Sequence, residues 1–137
     1  MTLVIDASVA LSWCFEDERR SETDALGERI IMEGAHVPNL FHLELANIFL
    51  HAERRGRLSA ADAVPKLDRI RMMPIVVDAD TARNAWGDTL LLARAERLTL
   101  YDAAYLELAL RLRADLATLD SDLAAAARRR GVVTLPG

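Results

Sequence analysis

Asp6, Glu44, Asp102 and Asp120 are the residues of this chain best placed to do chemistry together. Asp6 follows the apolar run Leu3-Val4-Ile5, and Asp120 follows Leu116-Ala117-Thr118-Leu119, so each closes a segment that reads as a buried strand. Ligands of parallel α/β sheets bind outside the carboxyl ends of the strands, which makes both positions site candidates. Asp102 opens a helix expected over 101–113. That helix advances roughly 18–20 Å and the next strand returns by roughly 17 Å, which brings Asp120 back beside Asp102. Glu44 lies in the first turns of the helix after Pro38, and right-handed crossover connectivity carries it to the same sheet edge.

Taken singly, each acid has a plainer reading, because Asp after a strand often only caps the next helix and Glu in a helix is usually solvated. Their surroundings argue otherwise. Glu44 sits among Leu40, Phe41, Leu43, Leu45, Ile48 and Phe49, and Asp102 precedes Ala103-Ala104-Tyr105-Leu106. Two like charges about 4 Å apart repel by roughly 4 kcal/mol at an effective dielectric of 20, so four gathered carboxylates call for a divalent cation. Oxygen-only ligands select a hard ion, Mg²⁺ or Mn²⁺, over zinc. The histidines fit this: His36 starts a strand, and His42 and His51 share the Glu44 helix, with His51 read as a surface or interface residue. An acid-held ion of this kind supports phosphodiester hydrolysis by activating water and stabilising charge on the scissile phosphate. Ser8 and Thr118, two residues from Asp6 and Asp120, are candidates for orienting the carboxylates, and Asn47, one turn after Glu44, for holding that carboxylate or touching substrate. Their plainer readings are an N-cap for Ser8 and a strand residue for Thr118. Asp122 and Glu16-Asp17-Glu18 read as solvated helix-end charges.

Positioning these groups requires an α/β fold, since short apolar runs alternate with longer segments of helical period. Five strands are expected at Leu3 to Ile5, Ala35 to Pro38, Ile75 to Val77, Leu116 to Leu119 and Val132 to Leu135. Helices are expected at 8–16, 21–33, 40–56, 59–72, 81–97, 101–113 and 121–130, with Ser8, Ser59, Asp80 and Ser121 as N-caps and Gly34, Gly56 and Gly131 as terminators. Pro65 predicts a kink or break in the 59–72 helix.

The 137 residues, 52% hydrophobic and 28% charged, suit one domain over 1–137 with a core that needs no disulfide. The single cysteine, Cys14, reads as a small core hydrophobe in a reducing cytoplasm. Met1-Thr2-Leu3-Val4-Ile5-Asp6 lacks a basic region and meets a carboxylate after three apolar residues, so no signal peptide or membrane span is expected, and the localisation expected is cytoplasmic. A net charge of −4 excludes indiscriminate coating of nucleic acid. Sixteen of the seventeen Lys and Arg residues are arginine, grouped at Arg54, Arg55 and Arg57, at Arg69 and Arg71, and at Arg128, Arg129 and Arg130; these groups suit phosphates or simply helix ends.

The stretches Leu3-Val4-Ile5-Asp6-Ala7-Ser8, Glu44-Leu45-Ala46-Asn47, Tyr101-Asp102-Ala103-Ala104-Tyr105-Leu106 and Ala117-Thr118-Leu119-Asp120 resemble, in order and spacing, the four acidic motifs of PIN-domain ribonucleases. Among these, the toxins of VapBC-type toxin–antitoxin systems are most similar, with an Asp-Ala-Ser opening, a tryptophan such as Trp13 and a closing helix like Asp122 to Arg130. The resemblance implies a PIN-like fold, a five-stranded mainly parallel sheet with helices on both faces. It implies Mg²⁺ or Mn²⁺ dependence, endonucleolytic cleavage of structured RNA such as transfer RNA, homodimerisation, and an antitoxin that inserts a segment into the acidic groove. Asp6 and Asp102 then match the principal metal ligands, and Glu44 and Asp120 the acids that complete the pocket.

Two other readings remain open. Phosphatases of the haloacid-dehalogenase type and response-regulator receivers also place Asp after the first strand. The former, however, want a second Asp where Ser8 stands, and the latter want an acidic pair and a late lysine, whereas the only lysine, Lys66, is mid-chain. A non-catalytic binding module with the same fold is the third reading, against which the four acids argue.

Overall fold

Leu3–Ile5 forms strand β1, and all three residues are buried, as a strand covered on both faces must be. The computed structural model describes residues 2–137. After β1 come α1 (Ala7–Ser12), a 3₁₀ turn (Glu16–Glu18), α2 (Ser21–Glu33), β2 (Ala35–Val37), α3 (Phe41–Arg54), α4 (Ala60–Arg71) and β3 (Ile75–Val77). The second half holds α5 (Thr81–Asn84), a π turn (Ala85–Thr89), α6 (Leu90–Glu96), α7 (Leu100–Leu112), β4 (Asp115–Ala117), α8 (Ser121–Arg129) and β5 (Thr134–Leu135). The five strands form one sheet in the order β3-β2-β1-β4-β5, and every pairing is parallel.

This order fixes where a site can lie. From β1 the chain steps outward through β2 to β3, then returns to lay β4 on the other side of β1 and continues to β5. The direction reverses between β1 and β4, which leaves a crevice beyond their carboxyl ends. Behind the crevice runs α7, with seven consecutive residues from Ala103 to Ala109 buried, all but Glu107 uncharged; a helix buried on every face is an interior helix. Tyr105, Phe41, Phe49, Leu3, Ile5 and Leu116 are fully buried, each stabilising the fold by roughly 1.5–3 kcal/mol. The outer strand β3 is less covered, with Val76 53% and Val77 39% exposed. Among the described residues no helix is long and apolar enough to cross a membrane.

Several boundaries differ from the sequence expectation. The helix expected over 8–16 stops at Ser12 and resumes as the 3₁₀ turn, while β4 starts at Asp115 and ends at Ala117. The helix expected over 81–97 is divided: Gly87 takes φ −106°, ψ −109°, outside the helical region, and the chain passes through the π turn. Glycine is the weakest helix former after proline, and the lone Gly87 marks where the helical period fails. Conversely, α4 runs through Pro65 unbroken: the amide that proline lacks would serve the carbonyl of Ala61, an exposed residue in the first turn of the helix, so its loss leaves no buried group without a partner. Ser59 caps α4 in a capping box with Asp62, as expected. Ser8 and Ser121 do not cap; Asp6 caps α1 and Asp120 caps α8. Asp80 precedes α5 but its side chain bonds no amide of that helix. Gly34, Gly56 and Gly131 take φ of 81°, 75° and 79° just past three helix ends, the left-handed stop expected of them.

Candidate active site

The β1–β4 register pairs Ile5 with Ala117, so the next residues, Asp6 and Thr118, meet at the crevice. Asp6 is 5% exposed and both its oxygens are engaged. The Ser8 hydroxyl donates to Oδ1 at 2.6 Å, the Val9 amide donates to the same oxygen at 3.3 Å, and the Thr118 hydroxyl donates to Oδ2 at 2.5 Å. The two hydroxyls also accept: Ser8 Oγ from the Leu119 amide at 2.9 Å and Thr118 Oγ1 from the Asp120 amide at 3.0 Å. Both therefore knot the ends of β1 and β4 around Asp6. Asp120 turns its Oδ1 to the Leu123 amide at 2.9 Å. Asp102 is held in the first turn of α7, its amide donating to the Thr99 cap at 3.1 Å. Glu44 enters from α3, flanking the buried stripe of Phe41, Leu45 and Phe49, and its Oε1 accepts from the Tyr105 hydroxyl at 2.6 Å.

These acids perturb one another. Burial raises the Asp6 carboxyl above its ordinary value; the Ser8, Thr118 and Val9 donors oppose the rise and the Asp102 charge adds to it. Glu44 is raised chiefly by burial and further by Asp102 and Asp6, against the Tyr105 hydrogen bond. Asp102 is raised by burial, then by Asp120 and Asp122, with Thr99 opposing. Among the described residues, none of the four acids is in an ion pair. An uncompensated oxygen-only set of this kind fits a hard divalent ion in donor type and charge. The geometry is not a finished cage: among the described residues no three His, Cys, Asp or Glu side chains converge tightly enough to hold a metal. Protein donors engage both oxygens of Asp6 but only one oxygen each of Glu44 and Asp120.

Of the supporting residues named from sequence, Ser8 and Thr118 both touch Asp6, whereas Asn47 is exposed and no hydrogen bond joins it to Glu44 among the described residues. Tyr105 was not singled out in the sequence, although its position one turn after Asp102 on the same helix face was a usable signal. His42 and His51 are exposed, and Cys14 is buried with its thiol pushed up to about 11 by desolvation, as a core residue should be. Two arginine groups serve the fold in part: Arg57 bonds Asp17 and covers the Phe15 ring at 4.5 Å, and Arg129 and Arg130 hold Glu96. Arg19 and Arg20 instead line a cleft of about 260 Å³ whose wall includes Ser8 and Leu119. Roomier cavities of about 610 and 640 Å³ lie away from this edge, so it is the carboxylates, not cavity size, that locate the site.

Residues 3–129 match the PIN domain family. The chain is 32% identical to Ribonuclease VapC3 of Pyrobaculum aerophilum over 126 residues, which is 90% of this chain and 93% of that protein. The crystal structure of PAE2754 from Pyrobaculum aerophilum superposes with a TM-score of 0.72 at 22% identity, covering 98% of this chain and 91% of that one, and so shares the fold. A five-stranded parallel sheet, an aspartate at the end of its first strand and a family match over nearly the whole length agree: this chain belongs to the PIN-domain family.

Proposed function

We propose that the protein is a Mg²⁺- or Mn²⁺-dependent endoribonuclease, the toxin of a VapBC-type toxin–antitoxin pair. The observation that carries this reading is the buried Asp6 at the sheet's switch point, where Asp102 and Glu44 add their charges and none of the three is in an ion pair among the described residues. In this reading Asp6 and Asp102 hold the ion, Glu44 and Asp120 complete its pocket, and Ser8 and Thr118 fix the Asp6 carboxylate. The chemistry a divalent ion supplies when bound is activation of water and stabilisation of charge on the phosphodiester. The substrate class is RNA, with structured RNA such as transfer RNA the favoured form. The likeness to a ribonuclease named VapC3 supports both the activity and a cognate antitoxin as inhibitor. Exposed Leu43, Val76, Val77 and Trp86 suit a partner surface, consistent with a homodimer. Cytoplasmic localisation is part of the same proposal.

The second reading, a non-catalytic PIN-like binding module, draws on the acids' being tied to protein donors rather than converged. One experiment separates the two. Wild type and Asp6→Asn are incubated with structured RNA in Mg²⁺, Mn²⁺ or EDTA, and new RNA ends are sequenced. Cleavage by wild type alone, abolished by EDTA, supports the nuclease; equal, absent cleavage by both proteins in either metal rejects it.

A further inference from the structure

Tyr105 is 1% exposed in the most buried stretch of α7, and a phenol there must find a partner for its hydroxyl. Its partner is Glu44 Oε1 at 2.6 Å, on a helix 61 residues away in sequence, a short bond of the charge-assisted kind. No other hydrogen bond to Glu44 is made among the described residues, so Oε2 is left open. Packing needs only the ring: phenylalanine would fill the same space, and the hydroxyl is the part that reaches Glu44. Asp102 lies one turn earlier on the same rigid helix, so α7 carries one candidate ligand and sets the direction of another. Asp6 has a matching arrangement, its carboxylate fixed by Ser8 and Thr118.

We propose that Tyr105 is a positioning residue which holds Glu44 by Oε1 and leaves Oε2 free, so that Glu44 would be ready to join Asp6 and Asp102 in holding a divalent ion; this rests on the metal-dependent reading above. A buried hydroxyl whose only role is to satisfy itself would affect folding and nothing else. One that aims a ligand sets metal affinity and turnover while leaving RNA affinity unchanged.

The test is Mn²⁺ binding followed by electron paramagnetic resonance, together with steady-state cleavage of an RNA oligonucleotide. In Tyr105→Phe, Mn²⁺ affinity falls by about ten- to a hundredfold and kcat falls with it, while KM for RNA and the melting temperature stay near those of wild type. In a Glu44→Gln background the same change has no further effect on Mn²⁺ binding, because the two residues act as one unit. Tyr105→Met, which fills the site without a hydroxyl, reproduces the loss and serves if Tyr105→Phe does not fold. Wild-type Mn²⁺ affinity in Tyr105→Phe or in Tyr105→Met overturns the proposal, as does an equal loss in the Glu44→Gln background. If wild type binds no more Mn²⁺ than Asp6→Asn, the metal reading itself is overturned and this inference falls with it. If wild type binds Mn²⁺, Asp6→Asn does not, and Tyr105→Phe is unchanged, only the role of Tyr105 is lost.

Discussion

The Thr118 hydroxyl donates to Asp6 Oδ2 at 2.5 Å, joining residues 112 apart in sequence where the order of strand addition reverses, between β1 and β4. The same hydroxyl accepts from the Asp120 amide, so a single oxygen couples the ends of β1 and β4 to two of the four acids. Thr118→Val keeps the branched shape but leaves a buried carboxylate oxygen without its donor and an amide without its acceptor. We expect a loss of about 1–3 kcal/mol in urea unfolding, and a fall in RNA cleavage of about ten- to a hundredfold. Thr118→Ser, which retains the hydroxyl, restores most of both. Unaltered stability and turnover in Thr118→Val would show that the bond does nothing.

The charge balance of the site makes a second prediction. Asp102 has its carboxyl raised above the ordinary 3.8 by burial first and by Asp120 and Asp122 after it. A group whose folded-state pKa is raised adds stability that is fully present below its unfolded pKa and is lost as pH rises through the folded value. Metal-free wild type therefore loses stability relative to Asp102→Asn as pH climbs from the carboxylate range toward neutrality, and the two converge in slope below it. Lowered groups such as Asp78 and Glu96 work in the opposite sense, but they are common to both proteins and cancel in the difference. With Mg²⁺ or Mn²⁺ at a hundredfold excess over its dissociation constant, wild type gains about 2.7 kcal/mol and Asp102→Asn gains less. Parallel pH profiles for the metal-free pair, or equal stabilisation by metal, would count against the acidic pocket.

What the sequence made legible were features set by near neighbours. An apolar triplet followed by Asp6 is enough to end a buried strand with a carboxylate, and the placement of Glu44 and Asp102 in apolar helices marked them before any fold was known. The parallel sheet and the shared edge of the acids followed from the alternation of elements and the usual connectivity, whereas the strand order came only with the structure. Less legible were features decided by distant partners. Asp115 enters β4 because its amide bonds the Thr2 carbonyl and Arg29 stands near its carboxylate, neither of which is visible in a run read for apolarity. The division at Gly87 depended on one weak helix former inside a long helical period. Tyr105 looked like another core aromatic, and only the approach of α3 revealed its polar end as a partner of Glu44.

A third prediction concerns what holds α7 in place. Arg111 donates to both oxygens of Asp78, at 3.0 and 2.7 Å, and to both oxygens of Glu107, at 2.7 and 3.0 Å. Asp78 directly follows β3 and gives its own amide to the Val37 carbonyl at the end of β2 at 2.8 Å, so this one guanidinium fastens the β3–β2 side of the sheet to α7. Glu107 is 5% exposed, and without Arg111 its charge would be buried unpaired. Lysine offers a point charge and not a planar fork, so it serves one carboxylate at a time. Arg111→Lys should therefore cost about 2–3 kcal/mol in urea unfolding, more than an exposed ion pair would. Arg111 also holds the Asp78 carboxyl below its ordinary range, a contribution present above the unfolded value and lost as pH falls through the folded one. Stability of wild type should accordingly drop toward that of Arg111→Lys in acid. Asp102 lies nine residues earlier, roughly 13 Å along the helix, so Mn²⁺ affinity should be unchanged at temperatures where both proteins are folded. Weakened Mn²⁺ binding in a fully folded Arg111→Lys would mean instead that this ion pair sets the position of the Asp102 end of α7.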